Sequence, residues 1–157
     1  MMSPRTVLPF AAALVIAGSV ASAAEFGTRD QAKAMLDRAV TVLKADKGRA
    51  LDLFTSGDGG FKHNDLYVFC MGPDGMLSGH PYYMGGNLRQ WKDSTGKAIG
   101  EEIFTTAKEG EIDEVTYKAP QPAGGKAGVT AEEGAQVDKV SFVTKVDDQV
   151  CGVGYYK

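Results

Sequence analysis

Few residues of this chain stand at spacings that support bond-making chemistry. Its two histidines, His63 and His80, and its two cysteines, Cys70 and Cys151, show no metal-ligand spacing. Two cysteines are too few for a four-cysteine zinc site. A Cys-x-x-Cys redox pair and a haem-attachment motif are both missing. The Asp58-Gly59-Gly60 and Gly85-Gly86 clusters lack the spacing of a P-loop or an EF-hand and read as turns. There is no Gly-x-Ser-x-Gly elbow and no zinc-protease helix. Glu101-Glu102 shares a helical stretch with Lys97 and Lys108, which suits a solvated face better than a catalytic pair. The expectation is a protein that is not an enzyme and holds no metal or cofactor.

What remains is chemistry for holding a small molecule. Tyr82, Tyr83 and Trp91 surround Gly85-Gly86, so that loop is aromatic. It either covers a pocket or closes the end of the core. His80 precedes Pro81, and a residue before proline is held extended. Formal net charge is −3, which leaves no basic footprint for nucleic acid. A weakly acidic surface still allows a small anion, which needs only one or two local cations.

The elements that must position these residues come from patterning. The chain has 157 residues, 43% hydrophobic and 24% charged, which fits one globular domain. Residues 1–5 carry one positive charge, residues 7–20 are apolar, and Ala21-Ser22-Ala23 offers a small-x-small cleavage site. Residues 1–23 therefore read as a secretory signal peptide. The alternative, an uncleaved anchor, is short of the roughly 20 residues that span a bilayer. The mature chain, residues 24–157, is expected in the periplasm or secreted, with no membrane insertion.

Thr28-Arg29-Asp30-Gln31 reads as a capping box, followed by an apolar stripe at Ala32, Met35, Leu36, Ala39, Val40 and Leu43. This predicts a helical arm over about residues 28–54, weakened or kinked at Gly48. Of the 20 glycines, 17 lie from Gly57 onward, so a turn-dense body follows over about residues 61–157. Residues 65–71 read as a buried strand, Gly72-Pro73-Asp74-Gly75 as a turn and residues 76–80 as the return strand. Residues 88–92 suit one helical turn, and Ile99, Ile103, Phe104 and Ala107 a short helix stopped by Gly110. Strands follow at 112–117, 137–146 and 149–156, with a Pro/Gly/Ala-rich loop at 120–134. The class is α+β: a long N-terminal helix on a mainly antiparallel sheet. Gly152 and Gly154 leave one face of the last strand bare, which implies close approach by a helix or a ligand.

In order along the chain stand Ala50-Leu51-x-x-Phe54, Asp65-Leu66-Tyr67-Val68-Phe69, Asp74-Gly75 and His80-Pro81. Then come Gly86-Asn87-Leu88, Lys92-Asp93-x-x-Gly96-Lys97, Gly110 before a strand holding Tyr117, and Cys151-Gly152-Val153-Gly154-Tyr155-Tyr156. This ordered set resembles a single Cache domain of the second type, an extracytoplasmic relative of PAS domains. The resemblance runs from about residue 32 to residue 157. It implies a five- or six-stranded antiparallel sheet with the long helix on one face and a ligand pocket on the other. It also implies a sensor role for small organic molecules, often short carboxylates, in concert with a membrane histidine kinase or chemoreceptor. This chain, without kinase or methyl-accepting regions, looks like a standalone exported form.

The resemblance places Lys139 where an ammonium meets a ligand carboxylate, against the alternative of a solvated strand lysine. Tyr117 would add a hydroxyl, unless it is only a half-buried sheet tyrosine. His80, Tyr83 and Trp91 would border the same pocket. Two positions depart from the family. The Trp expected two residues after Tyr117 is Ala119, and a Lys-x-x-Tyr word reads Lys139-Val140-Ser141-Phe142, so Phe142 takes the place of a pocket tyrosine. The strands of Cys70 and Cys151 would be neighbours in this fold, which leaves either a disulfide or two buried thiols. The functional expectation is an exported module that binds a small organic acid. The alternative is a ligand-free structural or interaction protein that keeps the Cache fold beside a membrane sensor.

Overall fold

Two side-chain caps divide the helical arm. The computed structural model of the chain describes residues 25–122 and 134–157. The expected signal peptide and most of the expected 120–134 loop lie outside the described residues. Helix α1 spans Arg29–Ala45 and opens on the capping box: Thr28 Oγ1 accepts from the Gln31 N–H and Gln31 Oε1 accepts from the Thr28 N–H. Helix α2 spans Lys47–Ser56. The expected single helix is thus interrupted, and the break falls at Asp46 rather than Gly48. Asp46 takes an extended backbone, and its Oδ1 accepts from the Arg49 N–H at 3.0 Å. A short carboxylate prefers bonding its downstream backbone to sitting inside a helix, so it ends one helix and caps the next. Gly57, at φ +79°, ends α2.

The sheet contains β1 (Lys62–His63), β2 (Leu66–Met71), β3 (Leu77–Gly79), β4 (Asp113–Pro120), β5 (Gln136–Val146) and β6 (Gln149–Tyr156). Its order is β1-β2-β6-β5-β4, with β3 also paired to β2 and every pairing antiparallel. A 3-10 turn at Leu88–Gln90 and helix α3 (Ile99–Thr106) link β3 to β4. Helix α3 ends at Ala107 and not at Gly110, whose φ of +75° belongs to the turn before β4. Strand β4 runs three residues past its expected end, because each residue through Pro120 finds a partner on β5.

The sheet separates two apolar layers. On one face α1 and α2 pack Leu36, Leu43 and Phe54 against Val68, Val140, Phe142 and Val153. On the other, α3 and the 3-10 turn cover Phe69, Met71, Val115 and Val143. Cys70 and Cys151 face each other across β2 and β6, with Cα atoms 4.1 Å apart, and form a disulfide on the helix side. The choice between a bridge and two thiols thus falls to the bridge. No helix among the described residues is long and apolar enough to cross a membrane.

Candidate functional site

Strand alternation decides which side chains reach the face opposite α1. On β5, Lys139 and Ser141 point to that face while Val140 and Phe142 point to the helices. The register puts Tyr117, Lys139 and Tyr156 in one rung across β4, β5 and β6. Above them, the connection after β3 brings His80, Tyr82, Tyr83 and Trp91 over the sheet. Between sheet, connection and α3 lies a cavity of about 670 Å³, floored by Tyr67, Phe69 and Ala119 and walled by Ile99 and Ile103. A volume of that size is typical of small-molecule sites.

Lys139 is the charge of this cavity. It is 6% exposed and forms no ion pair with a carboxylate among the described residues. Its Nζ lies 4.5 Å from the Tyr156 ring centroid and 5.2 Å from that of Tyr67, so two aromatic faces supply part of its solvation. Gly154 makes this placement possible. A Cβ there would stand 2.7 Å from Lys139 Cε and 2.9 Å from Ser141 Oγ. The bare face expected at Gly152 and Gly154 thus has two uses. Gly154 clears the stem of Lys139, and Gly152 admits the Phe69 ring, whose Cζ would lie 2.5 Å from an added Cβ.

Two groups of the lining can donate to an occupant. His80 is 3% exposed, and its Nδ1 accepts from the N–H groups of Tyr82 (3.0 Å) and Tyr83 (3.2 Å). A nitrogen that accepts two hydrogen bonds carries no proton, so the ring proton sits on Nε2. Burial, with the Lys139 charge second, pushes the His80 pKa down to about 4. His80 is therefore a neutral Nε2–H donor at ordinary pH, and no described residue accepts from it. The Tyr67 hydroxyl likewise has no hydrogen-bond partner among the described residues. Burial raises the Tyr67 phenol well above its ordinary value, so it stays a neutral donor. Tyr117 shares a 2.9 Å hydrogen bond with Ser141 Oγ, and Tyr156 donates to the Pro120 carbonyl at 2.6 Å. Burial raises both of those phenols as well.

Among the described residues, the one carboxylate that lines the cavity is already occupied. Asp93 accepts from the Thr95 hydroxyl and N–H, the Lys97 N–H and the Lys118 N–H, and these bonds hold its pKa at about 2. Asp65 is fully buried outside the cavity lining. Its Oδ1 accepts from the Gly27 N–H at 2.6 Å, its Oδ2 has no partner among the described residues, and burial raises its pKa. Phe26 of the same segment packs edge-on to Tyr156 at 5.9 Å.

Of the residues expected at a site, Lys139, Tyr117, His80, Tyr83 and Trp91 come together around the cavity. Phe142 does not. It is 2% exposed under α1, stacked on Tyr155 and covered by the Arg29 guanidinium 5.0 Å above its ring. A spacing of three on a strand reverses the face, so Lys139 and Phe142 cannot both point into one pocket. Tyr67 and Tyr156 belong to the cavity without being expected there. Period-two counting from Lys139 across a known register would find Tyr156.

No protein-family model matches the sequence, and no curated protein matches it. Solved structures do. A methyl-accepting chemotaxis protein from Vibrio parahaemolyticus RIMD 2210633 matches with a TM-score of 0.56 at 20% identity, over 81% of this chain and 86% of that one. The periplasmic sensor domain of a chemotaxis protein matches with a TM-score of 0.53 at 20% identity, over 81% and 88%. A Cache chemosensory domain described for carboxylic acid recognition matches with a TM-score of 0.54 at 19% identity, over 81% and 86%. The chain therefore has the α+β, PAS-like fold of Cache-type sensor domains.

Proposed function

We propose that this protein is an exported sensor module that binds a small carboxylate in the cavity between the sheet and the aromatic connection. The observation that carries this reading is Lys139: a buried ammonium without a carboxylate partner among the described residues, in a cavity where His80 and Tyr67 have protons to donate. A buried cation needs an anionic partner, and a carboxylate also accepts the two hydrogen bonds that His80 Nε2–H and the Tyr67 hydroxyl offer. Tyr117, Tyr83 and Trp91 shape the space around it. The open cavity favours this reading over a ligand-free structural role. Binding would then be reported to a membrane histidine kinase or chemoreceptor. A thermal-shift screen with acetate, propionate, lactate, pyruvate and amino acids, extended to larger monocarboxylates, tests it. At least one carboxylate should raise the Tm of the wild-type protein and leave that of folded Lys139→Met unchanged. Equal shifts in both proteins, or none from any acid, would overturn the reading.

A further inference from the structure

Resting on that carboxylate reading, we infer that the cavity is built for a monocarboxylate with a flat aromatic body, of the arylacetate class. Size excludes the shortest acids as a good fit. At about 30 Å³ for each water-sized heavy atom, a four-atom acid fills on the order of 120 Å³, under a fifth of the 670 Å³ present. The walls define what fills the rest. Tyr67, Tyr82, Tyr83 and Trp91 pack edge-to-face on one another, with Tyr67–Tyr82 centroids 5.3 Å apart and Tyr83–Trp91 centroids 5.5 Å apart. Rings fixed by their neighbours' edges offer an occupant further ring surface at little cost in ordering. Ala119, 8% exposed beside Tyr117, leaves the floor open to a flat group.

Charge selects against the other acids. A dicarboxylate needs a second cation, but Lys118 is paired with Asp138 at 2.8 Å and Lys92 stands exposed. Its second carboxylate would lose water against Phe69, Ile99 and Ile103 without a partner. An amino acid needs an acceptor for its ammonium. Asp93 is the lining carboxylate, and four protein donors already occupy it.

The test is calorimetric titration of the wild-type protein with phenylacetate, cyclohexylacetate, propionate, succinate, phenylalanine and phenylacetamide. Phenylacetate should bind at least tenfold tighter than each of the others. Ala119→Trp, which fills the floor, should cost phenylacetate tenfold or more while propionate holds or gains; the wild-type series stands by itself if that variant does not fold. Propionate, succinate or phenylalanine binding as tightly as phenylacetate would overturn the ligand class and leave Lys139 as a carboxylate site. Cyclohexylacetate matching phenylacetate would overturn the aromatic preference. Phenylacetamide matching phenylacetate would instead overturn the carboxylate reading, and no binding by any acid would overturn both.

Discussion

Gly154 and Lys139 are fitted to each other: a Cβ at position 154 would stand 2.7 Å from Lys139 Cε, inside van der Waals contact. Ser141 Oγ and the Tyr117 hydroxyl, at 2.9 and 3.3 Å from the same point, leave the stem little room to retreat. Gly154→Ala should therefore destabilise the fold by roughly 1–3 kcal/mol, the usual range for overpacking. It should also displace the ammonium and weaken carboxylate binding. In a Lys139→Ala background the same change should cost less, because the Cε is gone. Urea denaturation of the four proteins measures the coupling. Additive effects would show that the glycine serves something other than the lysine.

His80 predicts a pH dependence with a definite sign. Its folded pKa of about 4 lies below the ordinary 6.5, so below pH 6.5 the unfolded chain binds a proton that the folded chain refuses. This contribution is fully present above pH 6.5 and is lost as pH falls toward 4. The loss is on the order of 3 kcal/mol, since a tenfold change in proton affinity corresponds to about 1.4 kcal/mol. In His80→Asn, the amide oxygen can still accept from the Tyr82 and Tyr83 N–H groups, but the titration is gone. Urea midpoints at pH 7.0, 5.5 and 4.5 should separate wild type from variant progressively. Parallel curves would mean that His80 titrates normally.

The strands are largely legible in the sequence because turn residues bracket them. Residues 149–156 read correctly as the last strand, and the preceding one begins a single residue before its expected start at 137. Lys62–His63 is not legible, since two exposed polar residues give no pattern to read. The helix break falls elsewhere than expected because propensity points to Gly48, while the cap belongs to Asp46. The site is legible where a side chain's identity implies its role, as at Lys139. Tyr67 is opaque for another reason. It lies in the nearly continuous apolar run of Leu66–Met71, which is buried on both faces and gives no alternation to say which way a ring points. Only register settles that, and register comes from pairing that no local stretch encodes.

The Cys70–Cys151 disulfide should stabilise the fold without touching the site. It closes a separation of 81 residues, worth about 4.5 kcal/mol in the chain-entropy model. Both sulfurs lie on the α1 side, while their neighbours Phe69 and Gly152 face the cavity side. The Cys70→Ala/Cys151→Ala protein should lose stability of that order in urea, and carboxylate affinity should stay within about twofold below its melting range. A large loss of affinity in folded protein would show that the bridge sets the cavity's shape through β2 and β6.

Phe142 offers the sharpest check on which face each β5 residue takes. Its ring stacks on Tyr155 and lies under the Arg29 guanidinium, in the layer that holds α1 to the sheet. Phe142→Leu keeps most of the apolar volume but loses the stacked ring and the cation above it, so about 1 kcal/mol of stability should be lost. Carboxylate affinity should not change, because the side chain never reaches the cavity. Lys139→Met, three residues away on the opposite face, should show the reverse: abolished binding with stability kept or gained, since a buried ammonium with no carboxylate partner among the described residues is replaced by an apolar chain of similar length. Paired calorimetric titration and urea denaturation of the two variants separate these outcomes. Loss of binding in folded Phe142→Leu would place the ligand on the helix side of the sheet and refute the site.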